Sequence, residues 1–306
     1  MFERPYDFRK NLPYICAMMT KEQFEKELDL IIANALREDV GDGDHSSLAC
    51  IPPDATGTAQ LLVKDDGILA GVDFARLVFH QVDPDLTMSV LIPDGEFVRY
   101  GDVAFKVSGR SQSILKAERL VLNAMQRMSA IATKTHRYVE ILADLKTQIL
   151  DTRKTTPGIR ALEKWAVQIG GGTNHRFGLY DMVMLKDNHI DFAGGIEQAI
   201  LKTNKYLKEN NLELKIEIET RNLTEVQEVL RVGQVDRIML DNFSFDDLRT
   251  AVKLINGGFE TEASGGITEE TLRQYAECGV DFISSGAFTH SVSNMDLSLK
   301  AVESGK

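Results

Sequence analysis

Apolar residues recur along this chain first at helical spacing, then at strand spacing, then in a slow alternation of the two. Phe24, Leu28, Ile31, Ile32, Ala35 and Leu36 fall three or four apart or side by side. They predict an amphipathic helix that Thr20 caps, with Gln23 completing a capping box. The helix is expected to stop in the acidic, glycine-rich run from Glu38 to Asp44. That run lacks the ligand spacing and closing glutamate of a calcium loop, and His45 beyond it reads as a turn histidine. From Thr56 to Gly109 the pattern is alternating, with turn signals at Asp65-Asp66-Gly67 and Pro93-Asp94-Gly95 and one helix from Asp73 through Val82. Ser113 to Leu142 is a long helical stretch with Leu115, Leu120, Leu122, Ile131 and Ala132 as core and an expected break near Ser129.

Beyond residue 145 the rhythm changes to short apolar run, polar tip, helix. Six strands are predicted, ending in Gln148-Ile149-Leu150, in Met182 to Leu185, in Leu214 to Glu219, in Arg237 to Leu240, in Phe259 to Ala263 and in Asp281 to Ser284. Ile159, Leu162, Trp165, Ala166 and Ile169 make a helical patch that Gly170-Gly171-Gly172 ends, and Thr224 to Val232 is helical. This is the repeat of a βα barrel or a doubly wound sheet, whose chemistry sits at the carboxyl ends of the strands. The strand count falls short of a closed barrel. MVMLKDN and RIMLDN are two versions of one strand-end unit, the internal echo of such folds. Asn204 to Leu214 mixes Lys and Glu as a solvated helix end and loop does, and Met295, Leu297, Leu299 and Val302 are read as one returning helix. The expected organisation is an N-terminal α+β domain over 1–130, sandwich-like and joined by the C-terminal helix of about 291–306, and an α/β domain over 131–290.

A chain of 306 residues suits two domains, and 43% hydrophobic with 26% charged residues is the balance of a soluble globular protein. Net charge of -11 argues against nucleic acid or an anionic membrane as partner. No run approaches a membrane span, and Met1 to Thr20, broken by Pro5 and Pro13, does not read as a signal peptide. Cys16, Cys50 and Cys278 are widely spaced without CxxC, which suggests reduced thiols and a cytoplasmic protein.

Against that acidic background, cations gather at the predicted strand tips: Arg153, Lys154 and Arg160, then His175 and Arg176, then Lys186 with Asp187, Asn188 and His189. Arg grips carboxylate or phosphate with two donors and Lys supplies a point charge, so the set asks for a small polyanion. The alternative is that Arg153 and Arg160 pair with Asp151 and Glu163. Ser264-Gly265-Gly266 and Ser285-Gly286-Ala287 follow late strands, where barrel phosphate sites form from backbone N–H groups. Glu219 and Asp241 reach the same rim, either toward a ligand or as buried answers to the arginines, with Glu217 the competitor of Glu219.

DTRKTTPGIR, GGTNHR and LKDNHI, with AERLVLNAMQRMSAIAT upstream and LDN, SGGI and ISSGAFTHS downstream, resemble the quinolinate phosphoribosyltransferases from Lys116 to Ser291. The resemblance implies an α/β fold with an incomplete, open α/β barrel. It implies transfer of phosphoribosyl from phosphoribosyl pyrophosphate (PRPP) to quinolinate, giving nicotinate mononucleotide, pyrophosphate and carbon dioxide. By the same resemblance Arg119, Thr152, Arg153, Lys154, His175, Arg176, Lys186, Ser264, Gly265, Gly266, Ser285, Gly286 and Ala287 bind the substrates. Glu219 and Asp241 would hold the PRPP ribose or its Mg2+, and Lys154, Glu219 and Asp241 would be the catalytic groups. It further implies a homodimer, or a larger assembly, with shared active sites, Arg119 serving the neighbour. Two departures stand out: Ala130 replaces the glycine of the family's SGIAT, and His45-Ser46-Ser47 only partly matches its EDxGxGDxT-like turn. The other readings are a paralogue acting on nicotinate or another acid, a lyase with Lys186 as Schiff-base nucleophile, and a non-catalytic phosphosugar-binding protein.

Overall fold

Thr20 and Gln23 form the expected reciprocal cap: Thr20 Oγ1 accepts from Gln23 N (3.2 Å) and Gln23 Oε1 accepts from Thr20 N (2.8 Å). They open α1 (Lys21–Val40) in the computed structural model, which describes residues 19–302; Cys16 and most of Met1 to Thr20 lie outside the described residues. His45 is not in a turn. Asp44 accepts the backbone N–H of Ser47 (3.1 Å) and caps a short helix, α2 (His45–Cys50). The chain continues through β1 (Thr56–Val63), β2 (Gly67–Ile68), α3 (Val72–Val82), β3 (Thr87–Val90), β4 (Phe97–Val98), β5 (Val103–Arg110) and α4 (Ser111–Ile141). Then come β6 (Gln148–Leu150), α5 (Arg160–Ile169), β7 (Val183–Leu185), α6 (Asp187–Ala193), α7 (Ile196–Glu209), β8 (Ile216–Thr220) and α8 (Leu223–Val232). The last elements are β9 (Arg237–Asp241), α9 (Phe245–Ile255), β10 (Glu260–Ser264), α10 (Glu269–Ala276), β11 (Phe282–Ser284), α11 (Ala287–His290) and β12 (Leu297–Ala301).

The chain divides into two compact units, one of residues 1–136, 155–171 and 287–306, the other of residues 137–154 and 172–286. In the first, an antiparallel sheet runs β12-β1-β5-β3. Ala59, Leu61 and Val63 of β1 turn inward, and Phe105 of β5 meets Phe79 of α3 edge-on at 6.0 Å. The expected C-terminal helix is instead β12, whose Leu299 lies across from Leu61. Leu297 and Leu299 are two apart, which is a strand's period, and both are buried.

Nor does α4 break at Ser129. It is one helix of 31 residues, and the fully buried Ser129 side chain faces outward to Ala70, accepting from its N–H (2.9 Å) and donating to its carbonyl (3.2 Å). Leu115, expected in the core, is 42% exposed, because Ile114, Ala117 and Val121 carry the buried stripe. Residues 155–171 group with this first unit, where Trp165 of α5 packs edge-on against Phe24 of α1 at 5.5 Å.

The second unit holds the six expected strands in one all-parallel sheet, ordered β6-β11-β10-β9-β8-β7. β6 and β7 stand at its two edges, so the sheet is an open barrel rather than a closed one. One face of its strands is apolar, with Ile218, Ile238, Leu240, Ala263 and Ile283 buried. The other carries Glu217, Glu219, Arg237, Asp241, Glu262 and Ser264, so the barrel interior is polar.

Candidate active site

A cavity of about 500 Å³ opens at the carboxyl ends of these strands. The tip after β6 brings Thr152, Arg153 and Lys154, the tip after β7 brings Lys186, and β8 and β9 end in Glu219 and Asp241. Ser264 closes β10 and Ser284 closes β11, while His175 and Arg176 come from the segment after α5. All lie within the second unit. Nine of the residues expected to bind ligand therefore converge there: Thr152, Arg153, Lys154, His175, Arg176, Lys186, Glu219, Asp241 and Ser264.

Arg176 is 7% exposed and donates from Nη1 to the Met182 carbonyl (3.1 Å). Burial first, and then the nearby charge of Arg153, pull its guanidinium below the ordinary range. Two arginines near enough for one charge to lower the other suit an anionic ligand. The alternative pairing of Arg160 with Glu163 does not form, since Glu163 takes Arg127 and Arg160 Nε donates to Thr155 Oγ1 (2.9 Å). Asp151 accepts from Asn174 Nδ2 (2.6 Å) and from the His175 backbone N–H (2.8 Å), fixing the turn that presents His175.

Deeper in the interior His175 meets a buried charge cluster. Its Nε2 lies 2.8 Å from Glu217 and 3.4 Å from Glu262, and Arg237 Nη1 donates to Glu262 (3.0 Å). Burial pulls the imidazole down, but hydrogen bonding and attraction from Glu217 and Glu262 outweigh it and raise it to about 9. Nδ1 accepts the Arg176 backbone N–H at 2.7 Å. Burial and then the charge of Glu262 raise the Glu217 carboxyl to about 7. His175, Glu217 and Glu262 bring potential ligand atoms within 4.8 Å of one another. A metal would need the Nε2 lone pair and would stand beside the Arg237 guanidinium.

Glu219 and Asp241 are two carboxylates near enough to feel each other's charge. Burial and then the charge of Asp241 push the Glu219 carboxyl up, with Lys186 opposing. Asn242 Nδ2 donates to Asp241 at 2.6 Å, and Gly265, at φ +97°, packs where any Cβ would strike the Asn242 side chain. Glycine at 265 thus lets the β9 and β10 tips approach.

Two family models cover nearly all of the chain: the quinolinate phosphoribosyl transferase N-terminal domain at residues 44–129 and the C-terminal domain at residues 131–300. The chain belongs to this family. It is 50% identical over 291 residues to an Arabidopsis thaliana protein named nicotinate-nucleotide pyrophosphorylase [carboxylating], chloroplastic, covering 90% of this chain and 82% of that one. It is 49% identical over 289 residues to quinolinate phosphoribosyltransferase [decarboxylating] 1b of Nicotiana tabacum, with the same coverage of 90% and 82%. Among solved structures, nicotinate-nucleotide pyrophosphorylase from Francisella tularensis superposes with TM-score 0.84 at 38% identity, covering 90% of this chain and 96% of that one.

Some expected residues of this family member do not line the cavity. Arg119 is exposed on α4 in the first unit, and Gly265, Gly266, Ser285, Gly286 and Ala287 follow the lining residues Ser264 and Ser284. Conversely, Met184, Met239, Glu262 and Ser284 line it without having been singled out, and so does Asp187, named before only as the neighbour of Lys186. The signal was available: Met184, Met239 and Glu262 stand two residues before Lys186, Asp241 and Ser264, hence on the same strand face. No helix among the described residues is long and apolar enough to cross a membrane.

Proposed function

We propose that the chain transfers the phosphoribosyl group of PRPP to quinolinate with decarboxylation, giving nicotinate mononucleotide, pyrophosphate and carbon dioxide. The observation that carries this reading is the cavity itself, with Arg153, Arg176 and Lys154 at one side and the Glu219–Asp241 pair at the other. The cationic side fits the two ring carboxylates and the phosphates. The acidic side fits ribose hydroxyls and the Mg2+ that accompanies PRPP as part of that substrate. The two neighbouring carboxylates, one pushed up by burial and then by the other's charge, match a divalent cation.

The ring nitrogen attacks the anomeric carbon of the ribose as its bond to pyrophosphate oxygen breaks. Little covalent help is needed, so positioning and preorganised charge supply the acceleration. Lys154 meets the departing negative charge, Glu219 and Asp241 hold the ribose, and Arg153, Arg176 and Lys186 orient the dianion. His175 has both nitrogens engaged, at Arg176 N–H and at Glu217, and serves to fix the turn that carries Arg176. The alkylated ring then accepts the electron pair released when the carboxylate beside nitrogen leaves, and that carbon takes a proton.

We further infer a homodimer in which Arg119 completes the neighbour's site, since Arg119 is exposed and absent from the lining of its own chain's cavity. Widely spaced thiols fit a cytoplasmic setting, and the chloroplastic name of the Arabidopsis relative fits an organellar one as well. The test is release of carbon dioxide and pyrophosphate in equal amounts from quinolinate and PRPP; pyrophosphate without carbon dioxide would overturn the assignment. Glu219→Gln and Asp241→Asn should raise the KM for PRPP while quinolinate binding measured without PRPP survives. A lowered Tm with PRPP use intact would instead make these carboxylates structural.

A further inference from the structure

Below the rim of the cavity the interior face of the parallel sheet carries a second layer of charge. Glu217 stands two residues before Glu219 on β8, Glu262 two before Ser264 on β10, and Arg237 four before Asp241 on β9. The two-residue period of a strand turns all three to the side on which the rim residues stand. Register brings them together: Glu217 lies across from Arg237, and Glu262 from Met239, the next inward residue of β9. Arg237 is gripped at its far side, where Nε and Nη2 donate to Glu260 (3.1 and 2.9 Å) and the guanidinium lies 4.0 Å from the centre of the Phe282 ring. Its Nη1 donates to Glu262 Oε2 at 3.0 Å.

The same Glu262 oxygen is 3.4 Å from His175 Nε2, so it stands between the guanidinium and the imidazole. Glu217 Oε2 approaches that Nε2 at 2.8 Å. Burial would raise the Glu262 carboxyl, but the hydrogen bond and charge of His175, and then Ser284 and Arg237, bring it down, so it stays ionised. Charges taken out of water in this manner add little net stability, since desolvation offsets their attraction. Their effect on direction is visible in the bonds. With Nε2 aimed at two carboxylates in the sheet interior, Nδ1 faces the next residue and accepts the Arg176 backbone N–H at 2.7 Å. His175, Arg176 and Glu262 all line the cavity, and the whole chain of contacts from Glu260 to Arg176 lies within the second unit.

We propose that Glu262 and Arg237 are positioning residues for the dicarboxylate: they set the His175 ring, and through it the backbone from which Arg176 reaches the cavity. This rests on the reading of the cavity as the quinolinate and PRPP site. Its test measures, for each variant, the quinolinate Kd by calorimetry without PRPP, the pyrophosphate Kd, the KM for both substrates, and Tm. Displacing a positioned group by about 1 Å can cost on the order of a hundredfold, so Glu262→Gln and Arg237→Lys should raise the quinolinate Kd and KM about tenfold or more. The pyrophosphate Kd and the PRPP KM should stay near wild type. Lysine at 237 keeps the charge but cannot hold Glu260 and Glu262 at once as the guanidinium fork does. Glu217→Leu should follow the same course, and Glu217→Gln, whose amide oxygen can still accept from an imidazole N–H, should lose less. Glu260 has a side chain 39% exposed and does not line the cavity, so Glu260→Ala keeps the question answerable if the buried variants fail to fold. It should weaken quinolinate severalfold and leave pyrophosphate alone. In a double-mutant cycle Glu262→Gln should add little to the loss caused by Arg176→Ala, because both act at one contact with the substrate. Additive losses, wild-type quinolinate Kd in folded variants, or quinolinate and pyrophosphate weakening together as Tm falls would reduce the cluster to packing. Failure of the proposed function shows elsewhere, in unsubstituted protein that leaves quinolinate unconverted, and would take this proposal with it.

Discussion

Mixing Arg119→Ala subunits with Lys154→Ala subunits, by coexpression or refolding, should recover about a quarter of wild-type turnover from two inactive proteins. Random pairing makes about half the dimers mixed, and each of those has one site with both groups intact. Lys154 lines the cavity of its own chain, and Arg119 is exposed on α4 without lining it. If the site is shared between subunits, each variant removes a different half of it. Turnover that stays at the level of the single variants would mean that Arg119 serves its own chain, and the shared-site reading would be wrong.

Quinolinate should be turned over far faster than nicotinate. Arg153 and Arg176 line one cavity, and burial, then the charge of Arg153, lowers the Arg176 guanidinium. A dianion relieves that repulsion at two points, whereas nicotinate leaves one cation desolvated and unpaired. Leaving one charge of such a set unpaired costs roughly 2–5 kcal/mol, or about 30-fold to a few thousand-fold in kcat/KM. Comparable kcat/KM values for the two acids would move the chain to a nicotinate-using paralogue.

The strands of the barrel were legible because each is a short apolar run ending in a polar tip, and the rim residues follow those runs directly. Arg153, Lys186 and Asp241 are examples. Interior polar residues were harder to see. Glu217 and Glu262 sit within strands, where a carboxylate reads as solvent-facing until the sheet curls around it. Their partners, His175 and Arg237, come from distant parts of the chain, so no local pattern announces the cluster. Two of the misread elements failed for opposite reasons. Ser129 looks like a helix breaker, but its hydroxyl is used by Ala70, far away in sequence. Leu297 and Leu299 had the spacing of a strand, and the helical reading gave too much weight to Val302.

The pairing of β12 with β1 also bears on how the protein is made. Leu299 meets Leu61, so the first-formed sheet waits for nearly the whole chain to be synthesised before its edge is covered. Until then β1 shows a row of unpaired backbone groups beside apolar side chains, the kind of edge that recruits other strands. A nascent chain emerging from the ribosome therefore carries its first sheet unfinished while the parallel sheet is still being delivered, and chaperones would find their target there.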